Sequence, residues 1–251
     1  MINFKKMNER NNKIKKNFWQ IFYAILAALV IRSFLYEPFS IPSGSMYPNL
    51  KVGDYLFVSK FSYGFSRNSL PFSIPLIPGR IFYKEPKRGD IVVFKTPEDN
   101  RTDYIKRLIG LPGDEIQFIN GELFINGNKI FREKSEIIEP IRCGNFTFDS
   151  IVYTETLPNG VKHLATYNKA GSLQNTKKYI VPPNHYFLMG DNRDCSKDSR
   201  FLEEVGYVNN LNLVGKAKII FFSNDTNKGS LLKFWNLQNS FRLERLFKSL
   251  K

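Results

Sequence analysis

The chain has 251 residues, of which 42% are hydrophobic and 15% aromatic, and its formal net charge is +14. This length is enough for one catalytic domain or two small ones, and the composition excludes a wholly disordered, collagen-like or polytopic membrane protein. Two cysteines and two histidines are too few for a disulfide scaffold or a structural zinc cluster. Whether Cys143 and Cys195 pair with each other stays open at this point.

The positive charge is concentrated at the two ends of the chain. Residues 1–16 and 228–251 each contain six basic residues and one acidic residue. A nucleic-acid enzyme more often carries a basic stripe across its folded domain. The charge pattern therefore predicts that the protein has no nucleic-acid partner. It also predicts that the two basic ends lie at a membrane surface or remain in solvent.

Residues 18–36 form an apolar run with a single charge, Arg32, near its end. At ~1.5 Å per residue, a helix of this length spans roughly 28 Å, about the thickness of the bilayer hydrocarbon. The run predicts a transmembrane anchor over residues 17–36, with the basic tail 1–16 in the cytoplasm and the following chain across the membrane. A cleaved signal peptide and a buried core helix are the alternatives, although no small-x-small cleavage site follows the run.

The chain beyond the apolar run has the pattern of an all-β protein. Short runs rich in β-branched and aromatic residues are bounded by Gly, Pro or Asn. Asn-Gly dipeptides at 120–121 and 126–127 predict tight turns, so residues 114–130 are predicted to form an antiparallel meander. The predicted strands are 54–61, 90–94, 115–119, 122–125, 186–189 and 216–222.

The predicted fold class is mainly β: an antiparallel β catalytic domain with an inserted smaller β region, preceded by one N-terminal transmembrane helix. The catalytic domain is predicted to comprise residues 37–116 and 183–225. Residues 117–182 are more polar and carry no motif that indicates chemistry, which favours an insertion.

Two apolar segments have two interpretations each. The proline-rich loop 70–78 either dips into the bilayer surface or packs under the core. The basic segment 226–251 is predicted to form an amphipathic helix that lies on the membrane or docks on its own domain. Its apolar residues recur at roughly helical spacing and are Leu231, Trp235, Phe241, Leu246 and Leu250.

Three polar segments could supply chemistry, although each alone has an ordinary explanation. Ser43 and Ser45 lie between two prolines directly after the apolar run, and Ser-Gly-Ser is also a common linker. Lys106 lies in an apolar strand, where burial would keep its amine neutral and able to act as a base, but most strand lysines face solvent. Residues 190–200 pack acids, bases and hydroxyls after a hydrophobic strand, as a polar surface loop would.

Together and in this order, these segments resemble the bacterial type I signal peptidases, membrane-bound serine proteases of the Ser-Lys class. The resemblance covers nearly the whole chain. It rests on the N-terminal anchor and on the motifs IPSGSMYPNL, GDYLFVSKFSYG, RGDIVVF, YIKRLIGLPGD, GDNRDCSKDSR and LVGKA. The expected fold is therefore of the signal-peptidase type.

The resemblance implies a role for each residue of the catalytic centre. Ser45 matches the nucleophile and Lys106 the general base. The backbone N–H of Ser45 and the hydroxyl of Ser43 would form the oxyanion hole, and Ser196 would orient the lysine amine. No cofactor and no metal are expected.

The resemblance also implies the surroundings of that centre. Ion pairs between Asp198 and Arg200, and between Asp191 and Arg107, would brace the site. Shallow apolar pockets would select small residues at positions −1 and −3 of the substrate. The residues expected to line these pockets are Phe39, Ile41, Leu50 and Ile105.

One departure concerns Cys195, which stands where related sequences often have asparagine. The family's disulfide, where present, lies within the inserted region, so the resemblance implies no disulfide between Cys143 and Cys195. A free Cys195 thiol beside the general base would be a target for oxidation.

The expected function is removal of N-terminal signal peptides from exported preproteins by an endopeptidase in the bacterial inner membrane. The expected topology is single-pass with a cytoplasmic N-terminus, and the expected partners are preproteins, membrane phospholipid and a nearby secretion translocon. A self-cleaving repressor-type protease is the alternative among enzymes, but it would need a DNA-binding region and no membrane span. A catalytically inactive, membrane-tethered β scaffold or binding module is the alternative from another class.

Overall fold

A computed structural model describes residues 2–70, 73–143, 146–168, 175–225 and 241–250. One long helix, α1 (Ile2–Phe34), is followed by strands throughout. In the catalytic half these are β1 (Tyr36–Ser40), β2 (Asp54–Ser59), β3 (Phe65–Ser66), β4 (Arg80–Ile81), β5 (Ile91–Lys95) and β6 (Asp103–Gly110). The middle of the chain forms β7 (Glu115–Ile119), β8 (Glu122–Ile125), β9 (Asn128–Lys129), β10 (Phe131–Cys143), β11 (Phe146–Thr156), β12 (Lys162–Asn168) and β13 (Tyr179–Ile180). The last strands are β14 (His185–Met189), β15 (Val208–Asn209), β16 (Leu213–Ser223) and β17 (Lys248–Ser249).

The helix α1 is long and apolar enough to cross a membrane over Lys13–Phe34, with a mean hydropathy of 1.4. Its side chains in this part are almost all exposed, which argues against a buried core helix. The helix ends at Phe34, two residues before the predicted end of the span. The reason is that Tyr36 pairs with Ser59, so strand pairing replaces the helix there.

The main antiparallel sheet has the order β1-β2-β16-β5-β6-β14-β15, with β17 added to β16. Strands β3 and β4 pair with each other in a separate two-stranded sheet. The predicted strands at 54–61, 90–94, 186–189 and 216–222 correspond to β2, β5, β14 and β16. The mainly β fold class is confirmed. Strand β1 lies at one edge of the sheet, and it leads from the end of α1 directly to the segment that contains Ser45.

Residues 115–180 form two further sheets, one ordered β13-β7-β8-β9 and one ordered β10-β11-β12. The predicted meander over 114–130 is present, and its Asn-Gly turns have positive φ at Asn120 and Gly121 and at Asn126 and Gly127. A hydrophobic core joins this region to the main sheet, because Phe118 and Ile125 cluster with Phe187 of β14. The exact domain boundaries remain a prediction.

The implied absence of a disulfide between Cys143 and Cys195 is wrong. The two residues are disulfide-bonded with their Cα atoms 5.6 Å apart, although 52 positions separate them in the sequence. The resemblance was misleading here because β10 ends at Cys143 beside the loop that follows β14, which brings Cys143 within bonding distance of Cys195. Cys195 is therefore not a free thiol, and the disulfide ties the inserted region to that loop.

The prediction of an amphipathic helix is wrong for residues 241–250. This segment contains a short 3-10 turn, Leu243–Arg245, and then β17, which pairs with β16. Leu250 is buried, and Arg245 is buried in an ion pair with Asp54. Residues 241–250 thus dock on their own domain. The reason is that β17 gains backbone hydrogen bonds to β16 and Arg245 gains the Asp54 carboxylate, and an isolated helix would gain neither. Leu231 and Trp235 lie outside the described residues.

The apolar loop at 70–78 is partly or fully exposed at every residue that the structure describes. Ile74 and Leu76 expose 42% and 74% of their surface, which is the opposite of packing under the core. Residues 71 and 72 lie outside the described part of the chain. Insertion of this loop into a bilayer remains a prediction.

Candidate active site

Ser45 and Lys106 are brought together from segments 61 residues apart. Ser45 lies in a 3-10 turn, Gly44–Met46, and Lys106 lies in β6. The Lys106 Nζ donates a hydrogen bond of 2.7 Å to the Ser45 Oγ. Both residues are buried, so a hydroxyl and an amine face each other in a site largely shielded from water.

The turn that holds Ser45 is anchored by its apolar neighbours. Met46 and Leu50 are fully buried in the core between β1, β2 and β16. Their backbones are tied by a hydrogen bond from the Leu50 N–H to the Met46 carbonyl at 2.9 Å. Because the core fixes the residues on the C-terminal side of Ser45, the hydroxyl has little freedom to move away from the lysine.

The amine of Lys106 is unusually acidic for a lysine. Desolvation by burial lowers its pKa from the ordinary lysine value of 10.5 to about 8, while Asp198 and Asp191 partly oppose the shift. In the described part of the chain Lys106 forms no ion pair. A buried amine without a carboxylate partner is a base that can be neutral near physiological pH.

Two donors lie beside the Ser45 hydroxyl. The Ser43 Oγ is 3.4 Å from the Ser45 Oγ. The backbone N–H of Ser45 makes no hydrogen bond to any residue that the structure describes. A free N–H and a neighbouring hydroxyl are the donors that a developing oxyanion requires.

Ser196 lies close to the turn but does not hydrogen-bond to Lys106 in this structure. Its Oγ is buried, and its interaction with the Asp198 carboxylate helps to lower the pKa of that group. A Cβ at Gly190 would lie 2.2 Å from the Ser196 Oγ and 2.5 Å from the Ser45 carbonyl oxygen. Only glycine therefore fits at position 190, and its absent side chain allows the Ser196 loop to approach the Ser45 turn.

Two buried ion pairs flank the pair formed by Ser45 and Lys106. Arg107 binds Asp191 through two hydrogen bonds of 2.7 and 2.9 Å. Arg200 binds Asp198 in the same way, at 2.8 and 2.9 Å. Burial alone would raise the pKa of Asp198, but the Arg200 guanidinium lowers it below its ordinary value. Asp198 is thus held ionised, and both carboxylates lie near enough to act on the charge of the lysine.

The four residues expected at the substrate pockets divide into two groups. Ile41 and Leu50 are buried in the core. Phe39 and Ile105 are half-buried and pack against the same core cluster. Phe39 and Ile105 therefore have surface available for contact, whereas Ile41 and Leu50 lie beneath it.

Three polar residues that sequence reasoning did not single out fix the position of the turn. Asn192 donates from its backbone N–H to the Ser45 carbonyl at 3.1 Å and from its amide to the Gly44 carbonyl at 3.2 Å. Asn49 donates to an Asp191 carboxylate oxygen at 2.7 Å. The Thr166 hydroxyl donates to the Tyr47 carbonyl at 3.1 Å. Asn49 and Asn192 lie inside the quoted motifs, so a search of every polar residue in them would have found both.

The region without motifs also reaches the site, contrary to expectation. Glu155 binds Arg193 at 2.7 Å and lies 3.4 Å from the His163 Nε2, and all three side chains are buried. His163 is also 3.9 Å from Asp191. Desolvation and then the Arg107 charge lower the pKa of His163, so its ring is held neutral. No local pattern could have revealed this cluster, because its members come from β11, β12 and the loop after β14.

Known proteins resemble this chain over nearly its full length. A family model described as "Signal peptidase, peptidase S26" matches residues 14–222. Signal peptidase I of Rickettsia typhi (strain ATCC VR-144 / Wilmington) is 42% identical over 97% of each chain. Signal peptidase I of Rickettsia prowazekii (strain Madrid E) is 42% identical over 96% of this chain and 95% of its own length.

Among solved structures, a signal peptidase I from Enterococcus faecalis V583 is 28% identical. It covers 53% of this chain and 97% of that chain, with a TM-score of 0.31. The family assignment rests on the sequence matches, which span both the turn with Ser45 and the strand with Lys106. The chain therefore belongs to the signal peptidase family, peptidase S26.

Proposed function

We propose that this chain is a membrane-anchored signal peptidase in which Ser45 is the nucleophile and Lys106 the general base. Membership of the family assigns the chain the removal of signal peptides by a serine endopeptidase. The proposal concerns the mechanism, the residues and the anchoring. The observation that carries it is the 2.7 Å hydrogen bond between a buried serine hydroxyl and a buried lysine amine that has no described ion-pair partner.

The geometry supports a two-step acyl transfer. The neutral Lys106 amine accepts the Ser45 hydroxyl proton as the Oγ attacks the scissile carbonyl carbon. The resulting ammonium donates that proton to the departing amine of the mature protein, which leaves an acyl-enzyme on Ser45. A water molecule, deprotonated by the same amine, then hydrolyses the ester and releases the signal peptide.

The negative oxygen formed in each step needs donors that are already in place. The free Ser45 N–H and the Ser43 hydroxyl are the proposed donors. Loss of one such donor costs roughly 3 kcal/mol of transition-state stabilisation in other serine proteases. Ser43→Ala is thus expected to slow turnover without removing it.

Ser196 and the two ion pairs are proposed to position the lysine. The Ser196 Oγ lies next to the Ser45 turn, where it is proposed to accept a hydrogen bond from the Lys106 amine. The ion pairs of Asp191 with Arg107 and of Asp198 with Arg200 hold the loop that carries Ser196. These residues act through the lysine and not on the substrate.

An extended substrate fits the open strand edges near Ser45. Strand β1 is an edge strand, and β14 pairs with β6 only over 107–110, so residues 103–106 have no described partner on that side. A peptide that adds to such edges is held by backbone hydrogen bonds, while alternate side chains enter pockets. Phe39 and Ile105 at the surface, with Ile41 and Leu50 beneath them, would leave shallow pockets that favour small residues at −1 and −3.

The anchor and the location complete the proposal. Helix α1 would span the bacterial inner membrane once, with the basic tail 1–16 in the cytoplasm and the β domain on the outer side. Exported preproteins are the proposed substrates, and phospholipid and the secretion translocon the proposed neighbours. The proposed organisation is a catalytic domain of residues 37–116 and 183–225, with 117–182 inserted and 226–251 as a basic C-terminal segment.

The test is cleavage of a purified preprotein in detergent by the wild type, Ser45→Ala and Lys106→Ala, with the new N-terminus sequenced. We expect cleavage after a small-x-small site by the wild type alone, and circular dichroism spectra that match across the three proteins. An active Ser45→Ala variant would identify another nucleophile. A folded wild type that cleaves nothing would favour an inactive scaffold.

A further inference from the structure

A cluster of three charged residues lies where α1 meets the sheet, away from the Ser45 turn. Glu37 accepts hydrogen bonds from the Arg32 Nε and Nη2 at 2.9 and 2.8 Å, both on its Oε1. Its other oxygen, Oε2, lies 2.8 Å from the Lys60 Nζ. One carboxylate thus joins a helix residue to a residue that follows β2. We call Arg32, Glu37 and Lys60 the junction triad.

The side of the junction triad that belongs to the sheet is buried. The Lys60 side chain is only 3% exposed, and its Nζ also donates to the Ser69 carbonyl at 2.7 Å. The Glu37 side chain is 14% exposed, whereas that of Arg32 is 61% exposed. The exposed Arg32 side chain therefore links the helix to the Glu37 carboxylate, which Lys60 holds in place in the sheet.

Further contacts leave no flexible linker at this place. Only Leu35 separates the end of α1 from the start of β1, and its carbonyl accepts a hydrogen bond from the Lys60 N–H at 3.1 Å. The Phe34 ring lies edge-to-face on Phe65, with centroids 5.5 Å apart. The helix direction is thus coupled to the direction of β1.

We infer that the junction triad fixes the angle between the membrane helix and the catalytic sheet, and so selects which peptide bond of a membrane-held preprotein reaches Ser45. The inference rests on the proposed function, because it needs both the anchor and the peptidase activity. Strand β1 leads from Glu37 toward the Ser45 turn, and the four residue-to-residue steps from Glu37 to Ile41 span roughly 13 Å. A tilt of about 15° over that length moves the far end by roughly one residue of extended chain.

A preprotein whose signal peptide is in the bilayer cannot shift to follow the enzyme. Its cleavable bond lies at a height set by its own transmembrane segment, so the height of Ser45 must match it. A short soluble peptide has no such restriction and can bind at any tilt. Arg32, Glu37 and Lys60 would thus be positioning residues for membrane-held substrates alone.

The test compares Arg32→Gln with the wild type on two substrates, a preprotein in lipid vesicles and a short soluble peptide with a small-x-small site. Arg32 is the residue to replace because its side chain is exposed, and its removal leaves the buried ion pair of Glu37 and Lys60 intact. We expect kcat/KM for the preprotein to fall about tenfold, because the scissile bond would no longer be aligned with Ser45. We also expect mature N-termini shifted by one or two residues, and peptide cleavage within about twofold of the wild type.

Two controls accompany this comparison. Lys129→Gln removes the ion pair between Lys129 and Glu122 in the inserted region, and Lys129 is about as exposed as Arg32. This variant should cleave both substrates at the wild-type rate. Arg32→Lys keeps a cation at the end of the helix. It should therefore cleave the preprotein with a kcat/KM closer to that of the wild type than to that of Arg32→Gln.

Equal rates and a uniform N-terminus for Arg32→Gln and the wild type on the preprotein would overturn the inference. So would an equal loss on both substrates, which indicates a general defect. A wild type that cleaves neither substrate would instead count against the proposed function.

Discussion

Lys60 and Lys106 are both buried lysines of the same β domain, but their surroundings differ. Lys60 forms an ion pair with Glu37 at 2.8 Å and a hydrogen bond to a carbonyl. Lys106 has the Ser45 hydroxyl at 2.7 Å as its one described hydrogen-bond partner and the Tyr104 ring 5.3 Å from its Nζ, and its pKa is lowered to about 8. Burial alone therefore does not make a lysine a base. A carboxylate in direct contact with the amine, present at Lys60 and absent among the described partners of Lys106, separates the structural lysine from the proposed base.

The sharpest test of this comparison is replacement of Lys106 by a side chain of similar volume without the amine. Lys106→Met should lower kcat/KM by at least about 10³-fold, since the nucleophile loses its base. The free energy of unfolding should be unchanged or slightly raised, because no ion pair is lost. Peptide cleavage and urea unfolding measure the two quantities. A large loss of stability would contradict the view that Lys106 has no structural role.

The disulfide offers a second test, since it holds the loop that contains both carboxylates near Lys106. Replacing Cys143 and Cys195 together by Ser should lower the free energy of unfolding by about 2 to 4 kcal/mol. Turnover of the folded protein should fall only modestly, because the Asp198–Arg200 pair still holds the loop. Thermal unfolding with and without a reductant measures the effect. The double variant should not respond to reductant, and a wild type that also does not respond would contradict the disulfide.

Lys60→Met is the counterpart of the Lys106 variant. It should lower the free energy of unfolding by about 2 to 3 kcal/mol, because Glu37 and the Ser69 carbonyl both lose a buried partner. Cleavage of a soluble peptide by the folded variant should continue near the wild-type rate. Urea unfolding and a peptide assay at low temperature separate the two effects. If a folded Lys60→Met variant no longer cleaved the peptide, the conclusion that Lys60 is structural and only Lys106 is needed for cleavage would be wrong.

The pH profile gives the smallest effect, about tenfold per pH unit. Because the free amine is the base, kcat/KM for a soluble peptide should rise with pH up to about 8 and level above it. Below this pH the amine is protonated, and each unit removes nine-tenths of the active form. A rate that is independent of pH between 6 and 9 would rule out Lys106 as the base.

The sequence predicted local features well where neighbouring residues decide the structure. The meander over 114–130 follows from two Asn-Gly turns, each of which needs positive φ at both residues. The apolar helix follows from length and composition. Its last residues were misjudged because Tyr36 is apolar enough for a membrane but pairs with Ser59 in the sheet.

The proposed catalytic residues were identified by resemblance and not by pattern. Ser45 in a Ser-Gly-Ser segment and Lys106 in a strand each have ordinary explanations when taken alone. The structure adds the contact between them, which no spacing in the sequence implies. It also adds Asn192 and Asn49, which act through backbone carbonyls and a carboxylate that only the folded chain brings within reach.

The sequence by itself determined the long apolar helix, the β class, the turns and, through its motifs, the family. Only the tertiary structure decided the pairing of Cys143 with Cys195, the buried cluster of Glu155, His163 and Arg193, and the docking of residues 241–250. The physical reason is range. Turns and helices depend on residues a few positions apart, whereas disulfides and buried ion pairs depend on how distant strands cross, which local patterns do not encode.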